Sequence, residues 1–302
     1  MAGKLTTSLF APLPLVLLAV GAGLLWPSPA LADRSDLILA ALVLAVALTI
    51  DPRRLPAAAR ARRQVAAAVV LPLLLLLPLG VALAALFNGA THDGLIALGL
   101  ASTEVATAGL VALAGGDAAL ALTVVTLSLA LTAVAAPVLA PLLVDTSIAP
   151  GDLLVRFSLV VLVPLAAGLL IRARVTEPRL ETWADRAAMI ALALLVYAAL
   201  GDLGDVSRLG GAIAASALFL VGSIALAVLL RPLLGGAPTD GFVFALRDFA
   251  VAAALAGQFD APGAGATPAV YGVLMLTCAT VATTVLRRSV RTAGGSGRSP
   301  TA

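Results

Sequence analysis

The chain is short of the residues that most chemistry needs. It has one cysteine and one histidine in 302 residues. A lone Cys278 excludes a disulfide framework and a thiolate metal cluster. His92 falls in a short loop with nothing beside it that suggests a metal site, so it reads as solvated. With neither a nucleophile–base pair nor a metal site, an enzyme finds no machinery here, and no cofactor is expected. Aromatics make up only 4% of the chain, too few to interleave with basic residues as a nucleic-acid surface requires. Charged residues make up 12%, where a soluble domain carries about 25%.

Long apolar runs fill the space instead, with 61% hydrophobic residues and a mean hydropathy of +1.11. A helix needs about 20 largely apolar residues to cross a bilayer. Ten spans are read near 9–26, 37–50, 65–87, 93–115, 118–144, 153–171, 187–200, 211–230, 240–259 and 267–286. The second and seventh are short, at 14 residues each, so either could extend into its flanks or be only partly inserted, and a count of nine stays open. Ala30-Leu31-Ala32 before Asp33 also fits a signal-peptide cleavage site. Cleavage would leave the rest of the topology unchanged. The tail 292–302, mostly Gly, Ser and Thr, reads as disordered.

Positive charge sets the orientation. Arg53, Arg54, Arg60, Arg62 and Arg63 crowd one loop, Arg172, Arg174, Arg179 and Arg186 another, and Arg287, Arg288, Arg291 and Arg298 follow the last span. With Lys4 and Arg231, 15 of the 19 Lys and Arg residues share one side. The positive-inside bias places both termini in the cytoplasm of a protein integral to the cell membrane. Arg156 is read as snorkelling to the outer interface, and Asp117 as capping the fifth helix.

The spans repeat. Corresponding segments of the two halves start 144–150 residues apart, and the tetrapeptide ALAG recurs at 112–115 and 254–257. Five is odd, so the second half enters from the opposite side. The fold expected is all-α integral membrane, one transporter domain of two inverted repeats over about 9–144 and 153–286. Glu104 lies in the fourth span, and Arg247 and Asp248 lie in the ninth. At 1.5 Å per residue Glu104 is about 16 Å deep and Arg247 about 10 Å in from the cytoplasmic edge. A charge in a bilayer costs roughly 2.5–3.5 kcal/mol, so these three on repeat-related helices mark a functional site and should find each other. Arg247 cannot lose its proton, so it is a fixed counter-ion. It would pair with Glu104 or Asp248 when the site is empty, and with an anion when it is full. One carboxylate is left over, and burial favours its neutral form, so proton coupling through Glu104 is expected. A static salt bridge that only locks the two helices is the alternative. Gln258, Asp260, Thr267 and Tyr271 are read either as lining an access path or as interfacial residues.

Gly116-Asp117-Ala118 at the hinge after the fourth span, Pro137 and Pro141 at the end of the fifth, and Val251–Ala256 followed by Phe259 and Pro268 resemble the bile acid:sodium symporter family. Gly23–Pro27 and Leu48–Pro52 fit the same pattern. The resemblance implies a panel subdomain of spans one, two, six and seven, and a core subdomain whose fourth and ninth helices break and cross. It also implies where sodium ligands should stand, and this chain departs there. The family's ninth-helix glutamate position is Val243, and its Gln-Asn pair is Arg247-Asp248. The fourth-helix break is Ser102-Thr103-Glu104, the pair after it Thr107-Ala108, and a third-helix glutamine is Leu73. Thr126 and Ser128 keep hydroxyls in the fifth span. Too few oxygens remain for sodium, a hard cation.

The leading expectation is therefore a secondary transporter of a small organic anion, coupled to protons or to no ion. Its site would be Ser102, Thr103, Glu104, Thr107, Thr126, Ser128, Arg247 and Asp248. A sodium-coupled symporter with other sites, an arsenite-type carrier and a non-transporting receptor remain as alternatives. The cysteine that an arsenite carrier places in the fourth helix is absent.

Overall fold

The structure, a computed structural model, describes residues 12–53, 62–113, 116–201, 209–234 and 238–295. Every regular element among them is helical. In chain order these are α1 (Pro12–Leu25), α2 (Pro29–Ala32), α3 (Ser35–Thr49), α4 (Arg62–Ala84), α5 (Ala90–Leu100), α6 (Ala106–Leu113) and α7 (Ala118–Leu139), which a 3-10 turn extends to Leu142. Then come α8 (Pro150–Arg174), α9 (Pro178–Gly201), α10 (Leu209–Leu229), α11 (Arg231–Leu234), α12 (Pro238–Ala245), α13 (Phe249–Ala256) and α14 (Ala266–Gly295).

Five of these helices, α4, α7 with its extension, α8, α9 and α10, are long and apolar enough to cross a membrane. Their apolar residues lie on all sides, and Leu159, Leu170, Val221 and Val228 point outward. A helix apolar all round belongs in a core or in lipid. Outward leucines and valines on helices of this length fit lipid.

Two boundaries differ from expectation. The seventh span was read as 14 residues, 187–200, but α9 starts at Pro178. Proline suits a first helical position, and Glu181 in the first turn accepts from Arg172 at 2.9 Å, so the polar stretch continues the helix. The fourth and ninth spans, as the family resemblance implies, are each two helices, α5–α6 and α12–α13, with unwound backbone between. Finally, α14 runs to Gly295, so the tail expected from 292 begins in helix; 296–302 lie outside the described residues, as do 114–115 of the first ALAG.

Packing sorts the helices into two groups. In one, α3 lies against α8 and α9, and α9 against α1. Close approach is built in: a Cβ on Gly168 of α8 would stand 3.0 Å from the Leu44 carbonyl of α3. In the other, α4, α5, α6, α7, α10, α12, α13 and α14 pack together around the two unwound segments. Gly80 and Gly99 bring α4 and α5 together, since a Cβ on Gly80 would sit 2.8 Å from the Leu95 carbonyl.

Candidate functional site

Two interrupted helices leave backbone groups without helical partners, and inside a membrane each such group must find another. Here the two interruptions satisfy each other. The Glu104 amide donates to the Leu246 carbonyl at 3.0 Å, and the Asp248 amide donates to the Ser102 carbonyl at 2.8 Å. Thr103 and Arg247 thus form an isolated antiparallel bridge. The residues in these bonds correspond: Glu104 and Asp248 stand 144 positions apart, as do Ser102 and Leu246, and Thr103 and Arg247.

A hydroxyl from the following helix holds one further amide in each interruption. The Thr103 amide donates to Ser128 Oγ of α7 at 3.0 Å. The Arg247 amide donates to the Tyr271 hydroxyl of α14 at 3.1 Å, and that hydroxyl donates to the Ala245 carbonyl at 3.3 Å. Tyr271 is fully buried and meets the Phe219 ring edge-on, with centroids 5.7 Å apart. Tyr271 is therefore not interfacial; it straps the second interruption. Thr267, also buried, receives the Ser216 hydroxyl on its carbonyl at 2.8 Å.

Each interruption ends in a carboxylate that caps the helix after it. Asp248 accepts from the Ala250 and Val251 amides, both at 3.0 Å, as an N-cap residue does. Glu104 Oε1 accepts from the Ala106 amide at 3.3 Å. Asp117 caps α7 in the same way, through Ala119 and Leu120.

Arg247 is 1% exposed. Its Nη2 donates to the Gly99 carbonyl at 3.4 Å, while Nε and Nη1 have no partner in the protein. The expected pairing with Glu104 or Asp248 does not occur: among the described residues Arg247 forms no ion pair within 4.0 Å. Both carboxylates are drawn instead toward helix amides. Ser102 Oγ, Thr103 Oγ1, Thr107 Oγ1 and Glu104 Oε2 are likewise buried and unpartnered. The crossing is therefore a buried polar spot with donors and acceptors to spare.

Of the eight residues expected at the site, Ser102, Thr103, Glu104, Arg247 and Asp248 meet at the crossing, and Ser128 joins through the Thr103 amide. Thr107 is buried in the first turn of α6. Thr126, also buried, donates its hydroxyl at 2.9 Å to the Leu122 carbonyl of its own helix. At the far end of α13, Gln258 Nε2 donates to Asp36 Oδ1 at 2.8 Å, and Arg156 pairs with Asp36 Oδ2 at 2.6 Å. Arg156 was read as snorkelling; it has a defined partner. Asp260 accepts from Ser147 Oγ at 2.8 Å, and His92 Nδ1 contacts Asp93 at 2.8 Å.

Helices that break at depth and bond backbone to backbone, lined by buried ionisable groups, are the mark of a carrier. The model of the Sodium Bile acid symporter family matches residues 36–207. The chain belongs to that family. No curated protein matches it. As a member of the symporter family it is an integral membrane transporter of an organic substrate and not an enzyme. The matched stretch contains the first interruption and stops short of the second.

Proposed function

We propose that this chain is a secondary transporter of a small organic anion, with proton coupling in place of sodium. Its ten membrane helices form two inverted five-helix repeats, both termini are cytoplasmic, and the membrane is the cell membrane. The panel is α1, α3, α8 and α9; the core is the remainder, with α5–α6 crossing α12–α13. The repeat reading is supported by the two crossing bonds, whose residues correspond at one offset of 144.

The observation that carries the function is Arg247: a guanidinium, buried beside the crossing, with two nitrogens unpartnered and no carboxylate within ion-pair distance. A permanent cation so placed attracts an anion. Glu104 carries the proton. Its carboxylate is buried, has one unpartnered oxygen and forms no ion pair among the described residues. Burying a charge this way is costly, and protonation removes it. Asp248 is committed to the cap of α13. Ser102, Thr103 and Thr107 offer hydroxyls to the substrate, and Ser128 acts through the Thr103 amide.

The test is uptake of a panel of organic anions into proteoliposomes, with pH and sodium gradients imposed separately. Accumulation is expected when the side holding the substrate is the more acidic, with no response to sodium. Sodium-driven accumulation would support the sodium-coupled symporter and overturn the proton reading. An Arg247→Gln variant is expected to lose uptake of anions under either gradient.

A further inference from the structure

Behind the second crossing segment, α10, α12 and α14 leave a groove of about 300 Å³, at the small end of the range for ligand pockets. Its walls are apolar except at one end. The lining runs along α10 from Leu220, 4% exposed, past Val228, 68% exposed, and on to Arg231 at the start of α11. Ala279 and Ala282 form the α14 wall, and Leu246 is part of the floor. The groove is therefore deep at one end, open at its rim, and carries a cation at the other end.

The two walls run in the same direction. Ser216 meets Thr267, Phe219 meets Tyr271, and Arg231 shares the groove with Ala282. The side that α10 reaches at Arg231 is thus the side where α14 continues into Arg287, Arg288 and Arg291. A basic pocket between membrane helices at the end of an apolar slot has the chemistry that holds an anionic lipid head group.

We propose that this groove binds an anionic phospholipid of the leaflet on the Arg231 side. One acyl chain lies along α10 against the alanines of α14, and the phosphate sits at Arg231. The site is separate from the substrate site, but it adjoins it. The Leu246 carbonyl in its floor accepts from the Glu104 amide at 3.0 Å, so a bound chain packs directly behind the crossing and holds α12 against α10.

The test uses the full-length purified protein in detergent, titrated with phosphatidylglycerol or phosphatidylcholine of matched chains. Binding is counted by native mass spectrometry and thermal unfolding is followed in parallel. Phosphatidylglycerol should bind more tightly and raise the unfolding midpoint further. Arg231→Gln should weaken phosphatidylglycerol about fivefold and leave phosphatidylcholine unchanged. Ala279→Leu, which fills the slot, should remove tight binding of both while the lipid-free midpoint stays within a few degrees of the parent. Equal affinity for the two lipids, or a preference that survives Arg231→Gln, would overturn the proposal. So would tight binding that persists in an Ala279→Leu protein that still folds. Should Ala279→Leu unfold, Val228→Trp at the exposed rim replaces it, with the same expected loss and the same contradicting result.

Discussion

Arg247 is the bulkiest of the fully buried side chains in the structure, and what surrounds it separates three kinds of polar residue. Some hold the backbone. Tyr271 and Ser128 each take up an amide that the helix interruption would leave without a partner. A buried group stranded in this way costs about 1–3 kcal/mol. Tyr271→Phe and Ser128→Ala should therefore each lower stability by about that amount in reversible unfolding. Some are locally satisfied, as Thr126 is by its own helix, and Thr126→Val should cost no more than the net worth of that one hydrogen bond, about 1 kcal/mol. The rest, Glu104 and Arg247 foremost, keep atoms unpartnered. The family resemblance ranked Ser128 and Thr126 together as surviving hydroxyls. A hydroxyl's partner is fixed by which helix faces it, and one sequence does not contain that pairing.

At the scale of elements, capping carries most of the local logic. Asp117 and Asp248 each precede an apolar run and accept from the second and third amides of the helix that follows. The cap at Asp117 was legible, because a turn stood before it. Asp248 carries the same signal but lies within an apolar segment, where a charge draws attention as a ligand. The two roles can be separated. Asn also caps well, and loss of a cap to Ala costs about 1 kcal/mol. Asp248→Asn is expected to keep both stability and pH-driven uptake, whereas Asp248→Ala loses about 1 kcal/mol measured by thermal unfolding. Asp117→Ala should lose a similar amount and transport normally. The family resemblance located the first interruption at Ser102–Glu104 and implied a second in the ninth span without fixing its position, which falls between Ala245 and Phe249. Their mutual hydrogen bonding was not legible, since it depends on the two segments meeting in space.

For the molecule as a whole, the two helix groups are joined beyond the crossing by Asp36. Its carboxylate holds Arg156 of α8 and Gln258 at the end of α13. A carrier that alternates its access rocks one group against the other, and this contact must open in one half of the cycle. Cysteines at positions 36 and 258, in a Cys278→Ser background, joined by a short thiol-reactive crosslinker should stop transport, and uncrosslinked protein should retain it. Membrane class and segment order were legible from composition and run length. The true length of α9 was not, because its first turns are polar and interfacial. Neither was the state of Arg247, which leaves both neighbouring carboxylates to helix amides.

In the proposed mechanism Glu104 moves the proton while Arg247 holds the anion. This is tested most directly by comparing, in proteoliposomes of Glu104→Gln, substrate accumulation under a pH gradient with substrate counterflow at equal pH. Accumulation should be lost while counterflow persists, because the amide stands in for the protonated carboxyl and still lets the loaded carrier cross. Accumulation that still follows the pH gradient in Glu104→Gln would contradict this mechanism.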